Sequence, residues 1–112
     1  RARKMIDSGV PVSISTDYNP GSCPTENMQL VMSFASLLYK MTPEEVLTAS
    51  TINGAASLKL ENKIGSIEVG KKADILVLDS PNFDYVIYHF GINHTLYVIK
   101  NGKLVLDRQK GF

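Results

Sequence analysis

The stretch Val10-Pro11-Val12-Ser13-Ile14-Ser15-Thr16-Asp17-Tyr18-Asn19-Pro20-Gly21-Ser22-Cys23-Pro24 joins two kinds of local structure. Residues 10–16 are rich in β-branched side chains and alternate in polarity, which predicts a β-strand. From Asp17 onward, the density of Asn, Pro, Gly and Ser predicts a turn. Asp17 therefore lies at the carboxyl end of a predicted strand, where barrel-type α/β enzymes place metal ligands and proton-transfer groups.

An aspartate at this position has two interpretations. Its side chain can close an Asx-turn, which is a purely structural role, or it can act as a metal ligand. The residues alone favour the structural role and leave the other open. Asn19, Gly21 and Ser22 are likewise common loop residues, although a Gly-containing turn can direct backbone N–H groups at a carboxylate. As a set, these residues indicate a candidate site.

Two helices are predicted after the turn. Thr25 caps a helix that runs to about Tyr39, with a wide apolar face that predicts a core position rather than a cofactor site: Leu30, Phe34, Leu37 and Leu38. The run Thr42-Pro43-Glu44-Glu45 predicts a second helix, in which Thr42 caps, Pro43 takes the first helical position and Glu45 completes a capping box. We expect Asn53-Gly54 to interrupt that helix.

The second half of the chain is predicted to be β structure. From Ile64 onward the spacing of apolar residues changes from the helical period to every second residue. Residues 64–70 predict a turn and a short strand, 75–78 a buried strand, and 85–88 another strand. Asn101-Gly102, between residues 95–100 and 103–106, is the clearest hairpin pattern in the chain. The sequence thus divides into a helical region, 1–60, and a β region, 61–112.

Composition excludes several classes of protein. The chain has 112 residues, a formal net charge of +1 and a single cysteine, Cys23. Without a paired cysteine, a signal peptide or a long apolar run, we expect a reducing, cytoplasmic setting and no membrane insertion. No stripe of basic residues with interleaved aromatics is present, so we do not expect nucleic acid as a partner.

Residues 1–9 read as the last turns of a helix with Gly9 as its cap, so we expect the chain to be a piece of a longer protein.

The two histidines and the cysteine are interpreted as structural. His89 and His94 are five residues apart, which is not a helical metal-binding spacing. Cys23 has no histidine near it in the sequence, and a small buried hydrophobe is the commoner role for a free cysteine.

Three stretches together resemble the C-terminal part of the amidohydrolase superfamily: Ser15–Ser22, Thr42–Ala56 and Gly65–Ile75, the last with its G-x4-G-K-K-A-D-I pattern. The turn T-D-x-N-P-G-S and the stretch Tyr88-His89-Phe90-Gly91-Ile92-Asn93-His94 narrow the resemblance to members that open a small nitrogen-containing ring by hydrolysis. The resemblance extends over essentially the whole chain.

That resemblance implies an α/β fold made of two incomplete parts. Residues 1–60 would supply the last strand, Val10–Thr16, and the helices that end a metal-dependent (β/α)₈ barrel. Residues 61–112 would supply the C-terminal strands of a small β-sandwich.

The resemblance also implies roles for the turn. Asp17 would be a ligand of one zinc or iron ion and would carry a proton for the reaction. Asn19 and Gly21 would contact the ring-opened product, and Ser22 the cyclic substrate. Complete members supply an H-x-H pair and further histidines that this sequence lacks. Because tight binding requires three or more ligands, we predict that this chain alone neither holds the metal tightly nor turns over substrate.

Two other hypotheses stay open. The chain is a segment of a different amidohydrolase, such as a deaminase or a dihydropyrimidinase-like hydrolase, or it is a non-catalytic module that associates through apolar surface. For the enzyme, we expect a small-molecule substrate, no nucleic acid, no membrane, and assembly into a homo-oligomer.

Overall fold

The computed structural model describes residues 1–110. Over this range the chain forms short helices and one antiparallel sheet, in the order α1 (Ala2–Asp7), α2 (Met28–Leu37), α3 (Pro43–Ser50), α4 (Ile52–Ser57), β1 (Ile75–Leu78), α5 (Phe83–Tyr88), β2 (Thr95–Lys100), β3 (Lys103–Asp107) and a 3-10 turn (Arg108–Lys110). None of the helices in this range has the length and apolar character needed to cross a bilayer.

The predicted glycine cap of the first helix is confirmed. Gly9 follows α1 with φ 79°, in the left-handed region that glycine adopts without a steric penalty. Its N–H donates to the carbonyl of Ile6 at 2.9 Å, and the N–H of Val10 donates to Met5 at 3.0 Å. This pair of bonds is a Schellman motif, and it satisfies carbonyls that the end of a helix leaves unpaired.

Helix α2 begins later than predicted. Asn27, not Thr25, is its N-cap, since the Asn27 side chain accepts from the N–H of Leu30 at 3.1 Å. Thr25 instead accepts from the N–H of Asn27 at 3.2 Å and shapes the approach to the helix. The helix also stops at Leu37, short of Tyr39.

The core is smaller than the predicted one and uses different faces. Its buried members come from α2, α3, α5 and the α2–α3 connection: Met32, Ala35, Met41, Val46, Ala49 and Ile87. The predicted apolar stripe is wrong as the core of this chain, because Phe34, Leu37 and Leu38 are 42%, 53% and 65% exposed. Among the described residues, no element covers that face of α2 sufficiently to bury these side chains.

The start of α3 matches the prediction except for one bond. Thr42 accepts from the N–H of Glu45 at 3.2 Å, with Pro43 in the first turn. The Glu45 carboxylate does not close the capping box within residues 1–110. It accepts instead from Arg3 at 2.9 Å, and Arg3 also bonds Asp7. These bonds to Asp7 and Glu45 raise the pKa of the Arg3 guanidinium above its ordinary value and tie α1 to α3.

The helix break falls before Asn53-Gly54. The chain turns at Thr51, with φ −118° and ψ −92°, and both Asn53 and Gly54 lie inside α4. Asn53 has a reason to be there, because its side-chain amide donates to the carbonyl of Val12 at 2.9 Å. That bond attaches the segment 10–16 to the helices.

The predicted strand over residues 10–16 is wrong for this chain: no strand is assigned there. A strand requires a neighbour in a ladder, and a parallel one requires a neighbour brought in by a crossover connection. Here Ile14 donates its N–H to Ala49 at 3.2 Å, and Val12 accepts from Asn53. These contacts hold the segment against helices rather than in a sheet.

The hairpin and the strand before it are confirmed. The sheet order is β1-β2-β3, and both pairs are antiparallel. Asn101 and Gly102 form the tight turn with φ values of 50° and 76°, as a type I′ turn requires. Strand β1 is not the buried strand that its apolar run predicts, since Leu76 is 59% exposed. The short strand predicted within 64–70 is absent from the described residues, which form turns and bends there.

Residues 85–88 are helical, so the strand predicted there is wrong. Asn82 caps α5 by accepting from the N–H of Tyr85 at 2.9 Å, and Asp84 is an acidic residue in the first turn. The helix buries Val86 and Ile87, and Ile87 joins the core formed with α2 and α3. Capping and burial therefore outweigh the β propensity of these side chains.

The G-K-K-A-D stretch anchors the hairpin. Asp74 bonds Lys100 at 2.6 Å and accepts from the N–H of Asn101 at 2.9 Å, while Gly102 donates to the carbonyl of Ala73 at 3.0 Å. The Lys100 ammonium and the Asn101 N–H hold the pKa of the Asp74 carboxyl below its ordinary value. This motif thus has a structural role, at the end of the sheet.

Candidate functional site

The candidate site is a loop, residues 16–23, that turns sharply at Asp17. Asp17 has φ 51°, which an L-amino acid adopts at a cost and which Asn and Asp tolerate better than most. The next N–H, that of Tyr18, donates to the side chain of Thr16 at 3.3 Å. Asp17 is exposed at the surface of this turn.

Asn19 is the centre of the loop. Its side-chain N–H₂ donates to the carbonyl of Asp17 at 2.8 Å and to the hydroxyl of Ser22 at 3.1 Å. Its side-chain oxygen accepts from the backbone N–H groups of Gly21 and Ser22 at 2.9 and 2.8 Å. One amide thus binds both sides of the turn.

Gly21 fits closely over that amide. A Cβ at this position would lie 3.3 Å from the Asn19 side-chain oxygen, which is tighter than most contacts of a real Cβ. The two N–H bonds to Asn19 require this close approach. Glycine is therefore the residue best suited to this position.

Cys23 closes the base of the loop. Its thiol donates to the carbonyl of Thr16 at 2.9 Å, and its own carbonyl accepts from the N–H of Asn19 at 3.0 Å. Asn19 and Cys23 form an isolated antiparallel bridge. The half-buried thiol agrees with the structural interpretation of this cysteine.

The four predicted site residues lie together on this loop, but they differ in what remains available. Asn19, Gly21 and Ser22 bond one another. Within residues 1–110, the Asp17 carboxylate makes no hydrogen bond or ion pair. The loop thus presents one carboxylate that is free to accept a ligand or a proton.

The histidines belong to a separate cluster. His94 is buried, and its Nε2 lies 2.8 Å from the carbonyl of His89. The His89 ring stacks on Tyr85 with centroids 3.8 Å apart. These contacts agree with the structural interpretation of both residues.

Gln29, in the first turn of α2, was not among the predicted residues. Its side-chain oxygen accepts from the N–H of His94 at 3.0 Å, and its N–H₂ donates to Thr95 at 2.9 Å and to Asn93 at 3.3 Å. It joins the helix after the site loop to a corner about 65 residues later. A lone glutamine at a helix start gives no sequence pattern from which this joint can be predicted.

The described residues fit a metal only as one ligand of a larger set. Over residues 1–110, no three His, Cys, Asp or Glu side chains come together in an arrangement that could hold an ion. The free Asp17 carboxylate has suitable chemistry for zinc or iron, which both accept oxygen ligands. The remaining ligands would have to come from elsewhere.

A broad open groove of about 1500 Å³ is lined by residues that flank the loop, including Ser15 and Glu26. Its lining is mainly apolar and includes Ile14, Met28, Leu47, Ile52 and Ile75. Among the described residues that line it, none comes from 17–22. The groove therefore adjoins the loop without including those residues.

Comparison with known sequences identifies the family. The Amidohydrolase family profile matches residues 1–105, which is nearly the whole chain. The chain belongs to the amidohydrolase family. This confirms the resemblance carried by the site loop and the G-K-K-A-D stretch.

Individual relatives of this amidohydrolase chain share one name. An imidazolonepropionase of Alkaliphilus metalliredigens (strain QYMF) is 63% identical over 108 residues, which cover 96% of this chain and 26% of that protein. An imidazolonepropionase of Bacillus velezensis is 52% identical over 109 residues, 97% of this chain and 26% of that protein. The chain thus spans about a quarter of the length of these curated relatives.

Solved amidohydrolase-fold structures align over the same range. An adenosine deaminase from Xanthomonas campestris with bound zinc has a TM-score of 0.85 and 28% identity, over 96% of this chain and 28% of that one. An amidohydrolase from Thermotoga maritima MSB8 has a TM-score of 0.73 and 28% identity, over 95% of this chain and 25% of that one. The short helices and three-stranded sheet are therefore part of an amidohydrolase fold.

Proposed function

We propose that this chain is the C-terminal quarter of an imidazolonepropionase. Such an enzyme hydrolyses 4-imidazolone-5-propanoate to N-formimino-L-glutamate in histidine degradation. The observation that carries the proposal is the 63% identity to an imidazolonepropionase over 96% of the chain, which includes the T-D-x-N-P-G-S loop.

The two regions of the chain take different places in that enzyme. Residues 1–60 contribute the last strand and helices of the barrel, with 10–16 becoming a strand when its neighbours are present. Residues 61–112, of which 111 and 112 lie outside the described range, contribute C-terminal strands of the β-sandwich. The shortage of ladder partners along 10–16 supports this assignment, because a barrel strand is paired on both sides.

Asp17 is the residue that serves the reaction directly. Its free carboxylate would hold one zinc or iron ion, together with histidines from outside the described residues. When bound, such an ion would lower the pKa of water toward about 7 and so supply hydroxide at neutral pH. Asp17 also takes a proton from the attacking water and returns it to the ring nitrogen released when the ring C–N bond breaks.

The rest of the loop faces the substrate. Asn19 and Gly21 contact the formimino product, and Ser22 contacts the imidazolone. Support comes from their position: the three residues follow Asp17 within one tight turn, so a substrate at the metal lies beside them. The intact enzyme works in the cytoplasm as a homo-oligomer on this small molecule, and the 112-residue chain alone is inactive.

The test uses the full-length protein and a panel of substrates. We expect zinc- or iron-loaded full-length protein to hydrolyse 4-imidazolone-5-propanoate and to leave adenosine, cytosine and guanine unchanged. The 112-residue chain serves as the matched inactive sample. Deamination of adenosine without ring opening of the imidazolone contradicts the proposal and favours a deaminase, to which the adenosine deaminase similarity also points.

A separate measurement addresses the non-catalytic alternative. If the chain is a stand-alone association module, size-exclusion chromatography shows defined oligomers, and the full-length protein lacks hydrolase activity. The exposed apolar residues of α2 motivate this experiment, since large apolar patches drive association. Hydrolysis by the full-length protein removes that alternative.

A further inference from the structure

The backbone at Asp17 is held from both of its peptide groups. On one side, the Cys23 thiol donates to the carbonyl of Thr16 at 2.9 Å. On the other, the Asn19 amide donates to the carbonyl of Asp17 at 2.8 Å. We call this pair the Asn19–Cys23 clamp.

The clamp acts on a residue whose conformation needs support. Asp17 has φ 51°, in a region that L-amino acids occupy rarely, and local strain of this kind persists only where surrounding contacts enforce it. The direction of a side chain follows from the backbone that carries it. Contacts that fix the peptides on each side of Asp17 therefore also fix where its carboxylate points.

We propose that Asn19 and Cys23 are positioning residues that set the direction of the Asp17 carboxylate. The inference rests on the proposed function only in taking Asp17 as a metal ligand. Supporting partners of metal ligands influence affinity strongly, and their removal typically weakens metal binding or activity by 10-fold to 100-fold. Asn19 then acts on the chemistry through Asp17, in addition to any contact with the product.

The substitution Asn19→Asp isolates the donor half of the amide. It keeps an oxygen to accept from Gly21 and Ser22 but removes both donated bonds, including the one to Asp17. The added negative charge by itself favours a cation, so weaker metal binding has to come from geometry. Asn27→Asp is the matched control, because Asn27 uses only its side-chain oxygen, which accepts from Leu30 at 3.1 Å.

The experiment measures metal affinity of the full-length protein by competition with a zinc chelator, together with kcat and KM. For Asn19→Asp we expect the zinc Kd to rise about 10-fold or more and kcat to fall, with KM within about three-fold of wild type. Asn27→Asp should match wild type in both. A folded Asn19→Asp protein with wild-type zinc affinity, or one in which only KM rises, overturns the proposal.

If the Asn19→Asp protein does not fold, the two variants Cys23→Ala and Cys23→Ser test the proposal instead. Cys23→Ala removes the thiol donor and should weaken zinc binding about three-fold, whereas Cys23→Ser keeps a donor and should restore it. Equal zinc affinities for wild type and Cys23→Ala overturn the proposal. Because zinc binding is read separately, a wild-type protein that binds zinc but does not open the imidazolone ring contradicts the proposed function and leaves the clamp testable.

Discussion

The β2–β3 hairpin and the Asp17 loop are both tight turns built around asparagine and glycine, yet they lie in very different surroundings. Asn101-Gly102 joins two strands that are paired with each other, and β2 is also paired with β1. The Asp17 loop closes on itself through Asn19, but the segment that leads into it has no ladder partner among the described residues. A turn can be completed locally, whereas a barrel strand cannot.

The largest expected effect separates the loop's chemistry from its folding. Asp17→Ala should lower kcat of the full-length protein by about 100-fold or more, because the proposed function makes this one residue both metal ligand and proton carrier. The same change should lower the thermal midpoint of the 112-residue chain only slightly, because the carboxylate has no partner within residues 1–110 and alanine tolerates φ 51° less well than aspartate.

The control for this experiment is Asp79→Ala, which removes an exposed carboxylate just after β1. Enzyme assays and circular dichroism melts of the two variants provide the comparison. Full activity in the Asp17→Ala enzyme would contradict the proposed site.

Gly65→Ala and Gly102→Ala compare a glycine that is required by packing with a glycine that is required only by a turn. A Cβ at Gly65 would lie 2.7 Å from the Cβ of Ala55, and φ is 97°. We expect a loss of about 2–4 kcal/mol in the free energy of unfolding, from overpacking and backbone strain together. Gly102→Ala, where no atom lies within 4 Å, should cost about 1 kcal/mol. Urea unfolding of both variants measures the difference, and equal losses would contradict it.

The helical core gives the next effect. Val46 is fully buried, so Val46→Ala should lower the free energy of unfolding of this chain by about 2 kcal/mol. Leu38, at 65% exposure, should change it by less than about 0.5 kcal/mol when replaced by alanine. Repeating Leu38→Ala in the full-length protein sharpens the comparison. A larger loss there means that the face is covered, and an equally small loss means that it stays exposed.

The smallest effect is a pH dependence of the hairpin. The folded pKa of Asp74 is lowered by Lys100 and the Asn101 N–H, so its stabilisation is fully present above the unfolded value of about 3.9. It is lost as the pH falls through the lowered folded pKa. Melts between pH 7 and pH 2 should therefore show a steeper acid loss in wild type than in Asp74→Asn. Parallel curves would contradict this reading of the Asp74 bonds.

Features that depend on a few neighbouring residues could be predicted from the sequence. Thr42-Pro43 specifies the start of α3 through a cap and a fixed φ, Gly9 ends α1 by adopting a left-handed backbone, and Asn101-Gly102 makes the hairpin turn. In each case the residues that give the sequence pattern lie within about five positions of one another, although the hairpin turn is also anchored by Ala73 and Asp74. Local chemistry is therefore sufficient to predict them.

Features that depend on distant partners were predicted less well. The Tyr85–Tyr88 segment has β-favouring side chains, but the Asn82 cap and the burial of Ile87 make it a helix. The strand over 10–16 and the buried face around Leu37 each require elements that residues 1–110 do not include. Their patterns describe a larger assembly than the described chain forms.

The candidate site shows the same division. The order of residues from Asp17 to Ser22 predicted one compact loop, and the structure brings these residues together. Whether a given side chain is free or used inside the loop could not be predicted from that order. The Asn19 side-chain amide is hydrogen-bonded within the loop and the Asp17 carboxylate is not, and this difference follows from how the turn closes in three dimensions.

The position of α5 has a consequence for how this polypeptide can be divided. The helix follows β1 in the chain, yet its Ile87 packs among side chains of α2 and α3, and Ser33 donates to the Ile87 carbonyl at 3.0 Å. Cutting the chain near residue 60 would leave the first piece with an open slot where Ile87 belongs. The two pieces would then have matching surfaces, as in a split reporter protein whose halves regain order only on meeting.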